Sequence, residues 1–384
     1  MPRCKALPRL GLGIAILVLA GWALPPVARA EQKVPAPTTG RWLIDFEHDG
    51  SVQLTLKRRS ESGRDNWSSS DDFQVGEFQG LQRPGSSAEV PVHFQLVRDA
   101  GTVAFDGQLN DGGGSGRFRF EPNPEYLAAL AKMGYAQPDA GEAFSLAIHD
   151  VSRPFLHELE TLGYNHVALD DLVSMRIHGA SPQFIRDLKP LGYDRLPVDD
   201  LVSMRIHGAT PEYIRTMKAA GYDHLAADDL VSFRIHGVTP EYVKEMKAAG
   251  YDRLAVDDLV SFRIHGITPE FVKEMKAIGD GHIDPDDLVS LKIHGATPDF
   301  VRQLQSLGYH HLSADDVVSM RIHGVTPDFV RDLQAVGYKD VSPDDLVSMR
   351  IHGVSVDDAR RAKSRDKNVS VDELVEMKIH GGRS

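Results

Sequence analysis

A histidine recurs at a fixed interval along the C-terminal part of this chain. His149, His178, His207, His236, His265, His294, His323 and His352 stand 29 residues apart, and His380 follows after a step of 28. Imidazoles in register could build a ladder of metal sites or a surface that responds to pH, since histidine changes charge between about pH 5 and 8. A zinc site needs three or four ligands converging on one point. One histidine every ~10 Å, the spacing of packed helices, does not converge. The simpler reading is a histidine in the last turn of a helix, hydrogen-bonded to free carbonyls and packed on the next unit. The seven from His178 to His352 form the candidate pH-responsive ladder.

Other reactive groups carry the same ambiguity. Aspartate pairs such as Asp228-Asp229 and Asp344-Asp345 could hold Ca2+, yet at helix N-termini they already complement the helix dipole. The stretch from Asp280 through Asp284 to Asp287 lacks the spacing and closing glutamate of a calcium loop. His157-Glu158 opens like a zinc-peptidase H-E-x-x-H motif, but Thr161 stands where the second histidine belongs. Ser174, Ser203, Ser232 and Ser261 precede ladder histidines by four residues, on the same helical face, with no third group to orient the pair. The sequence therefore reads as non-enzymatic, with no catalytic residues, no metal and no cofactor.

The elements that carry these residues are helical repeats. The best-written copy runs from Thr239-Pro240-Glu241-Tyr242 to Gly250-Tyr251, then from Asp257-Asp258 to Arg263-Ile264-His265-Gly266. Thr239 is a predicted N-cap, Pro240 suits the first helical position, and Gly250 is the stop. Tyr242, Val243, Met246 and Ala249 form a buried stripe. In the second helix, Asp257-Asp258 sit in the first turn, with Arg263 and His265 in the last. Nine such units between residues 123 and 384 predict an α-solenoid of two-helix repeats, since no unit can bury its apolar face alone. Its terminal units read as polar caps: Ala147-Ile148-His149-Asp150 is a degenerate ending, and Val356–Lys363 has lost its aromatic and gained charge. Variation between units concentrates on the exposed side of the first helices. Arg186, Arg215, Lys244, Lys273, Arg302 and Arg331 are therefore the candidate binding surface.

Ahead of the array, residues 41–122 show the two-residue period of strands. Trp42, Ile44 and Phe46 alternate with polar positions, and Asp49-Gly50 turns the chain into Val52, Leu54 and Leu56. A second hairpin joins Val90–Leu96 to Val103 and Phe105 across Asp99-Ala100-Gly101, and Gly112-Gly113-Gly114 leads into Phe118 and Phe120. Six short strands predict an antiparallel β-sandwich or partial barrel, making the chain an α+β multidomain protein. Residues 31–40 read as a stiff linker. Residues 1–30 read as a signal peptide: Arg3, Lys5 and Arg9, an apolar run from Leu10 to Leu24, and a small-x-small site at Ala28-Arg29-Ala30. Cleavage after Ala30 removes four basic residues and the only cysteine, Cys4, and takes the formal charge from -12 to -16. A chain this acidic repels nucleic acid and anionic headgroups, and no later segment suits membrane insertion. A secreted or periplasmic location is expected.

The order of motifs from Phe105-Asp106-Gly107 and Gly114–Tyr126 through Gly134-Tyr135, His149-Asp150-Val151-Ser152 and the Arg-Ile-His-Gly series resembles a known arrangement. It is similar to the extracytoplasmic C-terminal region of some bacterial membrane-bound regulatory metallopeptidases of the β-lactam-sensor type, over roughly residues 41–380. The chain has neither their H-E-x-x-H motif nor their transmembrane helices, so their peptidase activity does not carry over. The resemblance implies a free-standing exported version of a sensor's outer portion. Combined with the repeats, it implies a protein-binding or scaffold protein. The alternative is a ligand-, metal- or pH-responsive sensor using the β domain or the histidines.

Overall fold

The computed structural model describes residues 34–59, 66–278 and 281–381. The proposed signal segment, the first residues of the linker and Asp280 lie outside them. The β domain consists of β1 (Thr38–Phe46), β2 (Ser51–Arg59), β3 (Asn66–Gln74), β4 (Phe78–Gln79), β5 (Val90–Arg98), β6 (Gly101–Leu109) and β7 (Gly113–Pro122). These strands make one antiparallel sheet in the order β3-β2-β1-β7-β6-β5-β4, curled into a half-barrel rather than split into a sandwich. Both expected hairpins are present, with Ile44 opposite Leu54 and Phe94 opposite Phe105. The count exceeds the expected six strands because two-residue β4 adds an edge strand. The linker is also shorter than expected. Thr38 to Gly40 belong to β1, pairing with Phe120 to Phe118, and Thr38 is buried.

Trp42 fixes the middle of this sheet. On the neighbouring strands Gly107 and Gly116 pair directly, and a Cβ on either would run into the indole. The slot they leave admits the ring, whose Nε1 donates to the Asp106 carbonyl (3.2 Å) and the Arg117 carbonyl (3.1 Å). A large buried aromatic thus keeps its one donor satisfied.

The open side of the half-barrel is closed by the first repeat, α1 (Pro124–Lys132) and α2 (Ala140–Ile148). Phe144 of α2 stacks on Phe118 with ring centroids 5.3 Å apart, and meets Phe120 and Trp67 edge-on. Ala143, Leu146, Ala147 and Ile148 are buried beside it. This corrects the reading of the first unit as a polar cap: its degenerate sequence is an apolar plug, and the sheet itself caps the array. Asp99 clamps the joint. Its carboxylate accepts from the Arg153 backbone amide (2.7 Å) and from Arg153 Nη2 (2.5 Å), and this contact holds its pKa below the ordinary carboxylate value.

Eighteen α-helices of the described residues outside short 3-10 turns follow the sheet, two per unit. The threonine caps act as expected: Thr210, Thr239, Thr268, Thr297 and Thr326 accept from the amide three residues on at 3.1–3.2 Å. Second helices pack on second helices in an unbroken row, and neighbouring first helices form another layer. The basic residue before Ile-His-Gly joins them. In the unit of helices Pro240–Ala248 and Val256–Ile264, Arg263 lies 4.9 Å from the Tyr242 ring centroid and donates through Nε to the His236 carbonyl of the preceding unit. Gly237 after that histidine has φ +70°, and a Cβ there would sit 3.1 Å from Arg263 Nη2. Tyrosines add a second link. Tyr164, Tyr193, Tyr222 and Tyr309 donate to a carbonyl of the next unit at 2.7–2.9 Å.

Burial pushes the phenols of Tyr213 and Tyr242 up to about 12 from 10.0. The unfolded chain therefore loses these protons first, and the contribution they make is complete below pH 10 and lost as pH rises through about 12. Phenylalanine fills the equivalent positions Phe184, Phe271, Phe300 and Phe329, so Tyr213→Phe with Tyr242→Phe should fold. We expect its melting temperature to fall less steeply than wild type between pH 10 and 12. Equal slopes would contradict the role given to these hydroxyls.

Candidate interaction surface

The second helices present one repeated face to solvent. In Val256–Ile264, Leu259 and Phe262 point into the core, whereas Asp257 and Ile264 are exposed and Val260 and Ser261 are half-buried between them. A period of 3.6 places residues 257, 260, 261 and 264 along one side. The same pattern gives Ile177, Ile206, Ile235, Ile264, Ile293, Ile322 and Ile351 exposures of 52–56%. Since the second helices pack side by side, these seven isoleucines form one row.

A parallel acidic row runs along the N-terminal ends of the same helices. Asp171, Asp200 and Asp287 have pKa values raised by burial first, and then by nearby carboxylates, of the same unit (Asp170 for Asp171, Asp284 for Asp287) and of the adjacent one (Asp199, Asp228 and Asp315). Negative charge is thus dense enough along this edge for successive units to repel one another.

The residues singled out from the sequence fall on both layers. Arg186, Arg215, Lys244, Lys273, Arg302 and Arg331 are all exposed on first helices. Several already have carboxylate partners: Arg186 with Glu158 (3.0 Å), Arg215 with Glu212 (3.4 Å), Arg302 with Asp299 (2.5 Å), and Arg331 with Asp328. Such exposed pairs contribute little stability, but they leave fewer free cations than the sequence suggested. Ladder histidines His178, His207, His294, His323 and His352 are exposed, and His236 and His265 half-buried. They flank the isoleucine row. His294 Nδ1 lies 2.9 Å from the Ser290 carbonyl, the last-turn contact expected for this position. Among the described residues no three His, Cys, Asp or Glu side chains converge as metal ligands, and His157 is an exposed neighbour of Glu160.

The isoleucine row was missed in the sequence. Its signal is that Val256, Leu259, Val260, Phe262 and Ile264 place apolar groups almost all round a helix, whereas a helix with one buried stripe has a polar back.

His149, which ends α2 ahead of the seven ladder histidines, has its pKa lowered by burial, against the opposing charge of Asp71. A folded pKa below the unfolded one means stability is complete above about pH 6.5 and falls as acid protonates the unfolded chain first. We expect the wild-type melting temperature to drop more between pH 7.5 and 5.5 than that of His149→Gln, measured on the full mature chain. Identical drops would remove His149 from the acid response.

Set against known proteins, the chain matches no family model, and no curated protein matches it significantly.

Proposed function

We propose that this is a non-enzymatic, exported binding or scaffold protein whose second-helix face holds an extended polypeptide. The observation that carries the reading is the row of seven half-exposed isoleucines. Contiguous exposed apolar surface marks interaction sites in soluble proteins, and nothing in the packing of the array requires isoleucine there. The acidic row beside it selects the partner's chemistry. An extended chain advances about 10 Å in three residues, close to the ~10 Å step between packed helices. The partner is therefore an extended segment with an aliphatic and a basic side chain in each successive triplet, the first on the isoleucines and the second toward the aspartates. Many modest contacts then add along the array.

Export follows from the basic start, apolar run and Ala28-Arg29-Ala30 site. Among the described residues no helix is long and apolar enough to cross a membrane. Protein recovered outside the cytoplasm should begin at Glu31; recovery with Met1 intact would refute the cleavage.

The docking reading is tested with a synthetic peptide of repeated Lys-Leu-Ser triplets and a composition-matched scramble. Covering a half-exposed isoleucine contributes about 1 kcal/mol. Replacing Ile235, Ile264 and Ile293 together by glutamine should thus weaken binding about a hundredfold, with helical content unchanged. Equal affinity for the scramble, or self-association of the chain abolished by the same substitutions, would overturn it.

A further inference from the structure

The β domain carries a charge arrangement that its fold does not explain. Arg41 on β1 pairs directly with Lys57 on β2 and with Arg117 on β7. All three side chains are exposed on the outer face of the sheet, opposite Trp42, Leu56 and Phe118 on the inner one. Strands lie ~4.8 Å apart, so three positive charges stand within about 10 Å. Like charges directly opposite one another destabilise a sheet.

Among the described residues, none of the three side chains makes a hydrogen bond or an ion pair. Asp106 is opposite Arg117 in the register, yet its carboxylate is turned to His93, 2.8 Å away. Protection of a sheet edge would account for lysines and arginines on an outer strand, but β2, β1 and β7 are all interior strands. The cluster also stands against the sign of the whole chain, whose formal charge is -12.

The three cations line one open cleft of about 940 Å³ together with Arg119, Arg58 and Trp67, the Arg58 guanidinium lying 5.7 Å from the Trp67 ring centroid, and Asp106 is the one acidic residue of that lining. We propose that this cleft binds a multiply charged phosphate anion laid across β2, β1 and β7. Arginine forks match phosphate oxygens bidentately, and lysine adds a point charge. A phosphate chain or a phosphorylated headgroup supplies several negative charges within the ~10 Å that the row spans. The inference concerns the β domain alone and does not depend on what the helical array binds.

The test uses the full mature chain and two sources of the same chemistry. Inorganic tripolyphosphate is titrated calorimetrically and by tryptophan emission, because Trp67 lines the cleft. Flotation with phosphatidylcholine vesicles, with and without phosphatidic acid, tests the lipid-borne form. We expect saturable one-to-one binding of tripolyphosphate, or binding to the acidic vesicles that tripolyphosphate competes away. Either should weaken at least tenfold in Arg41→Gln and Arg117→Gln and stay unchanged in Lys339→Gln, an exposed lysine of the array. Without ligand, Arg41→Gln should melt at a higher temperature, because it relieves the central repulsion. Absence of binding to both probes, or affinities that the two arginine substitutions leave unchanged, would overturn the proposal. A lower melting temperature for ligand-free Arg41→Gln would overturn the claim of repulsion within the row.

Discussion

Through the first half of the array the units are joined by one recurring contact, a guanidinium reaching back to the preceding unit. Each helix is only two or three turns long and would be marginal alone, and the last carbonyls of each second helix have no partner within it. Arg205, Arg234 and Arg263 reach back to one of them, the carbonyl of the preceding ladder histidine, at 3.3–3.4 Å. Behind the guanidinium stands an aromatic ring of its own unit, Phe184, Tyr213 or Tyr242, at 4.9–5.2 Å. The glycine after the histidine is left-handed, and its missing side chain leaves room for the incoming arginine. Three letters of Arg-Ile-His-Gly are thereby explained by main-chain and packing demands, with histidine contributing its carbonyl. Only isoleucine has no structural duty there, which is why its exposure in seven successive units bears on function.

The two ends solve the same problem differently. At the N-terminal end the ring of Phe144 enters the half-barrel, so sheet and array share one hydrophobic core. Asp150 replaces the glycine there at φ +52°, and its carboxylate takes the Arg176 guanidinium at 2.8 Å. At the C-terminal end the repeat shortens by one residue and the tyrosine link fails. Tyr338 is buried with its hydroxyl unpartnered, while Lys363 Nζ donates to the Val369 carbonyl at 3.0 Å and lies over the Tyr338 ring. An unsatisfied buried hydroxyl costs roughly 1–3 kcal/mol, and the last joint forgoes the tyrosine link that Tyr164, Tyr193, Tyr222 and Tyr309 make.

Much of this was legible in the sequence because helix ends are written in local residues. Thr-Pro starts, glycine stops and the 29-residue register gave the two-helix unit directly. What was hidden depends on partners distant in sequence. β3 contains Ser68-Ser69-Ser70-Asp71-Asp72 and is an edge strand pairing only with β2, so it shows little apolar alternation. The unit containing α2 looked merely degenerate against its siblings, because its difference is complementary to Phe118, Phe120 and Trp67 rather than to another repeat. The cation row of the sheet is invisible until register sets Lys57, Arg41 and Arg117 abreast, since 16 and 60 residues separate them along the chain.

Near-identity of the units has a consequence for how such a surface works. The seven isoleucines differ in exposure by only a few per cent, so each offers an extended partner the same modest contact, and no single unit dominates as a hot spot would. Affinity then scales with the number of units engaged, and a bound segment can shift by one repeat at little loss. Discrimination between partners must come from what varies along the row. Here that variation lies on the first helices, where Arg186 bonds to Glu158 of the preceding unit and Arg302 approaches Glu274 of its predecessor, while Lys244 and Lys273 make no ion pair among the described residues. On the proposed reading, the uniform second-helix face would supply attraction, and the varied first-helix face would be the one able to distinguish one partner from another.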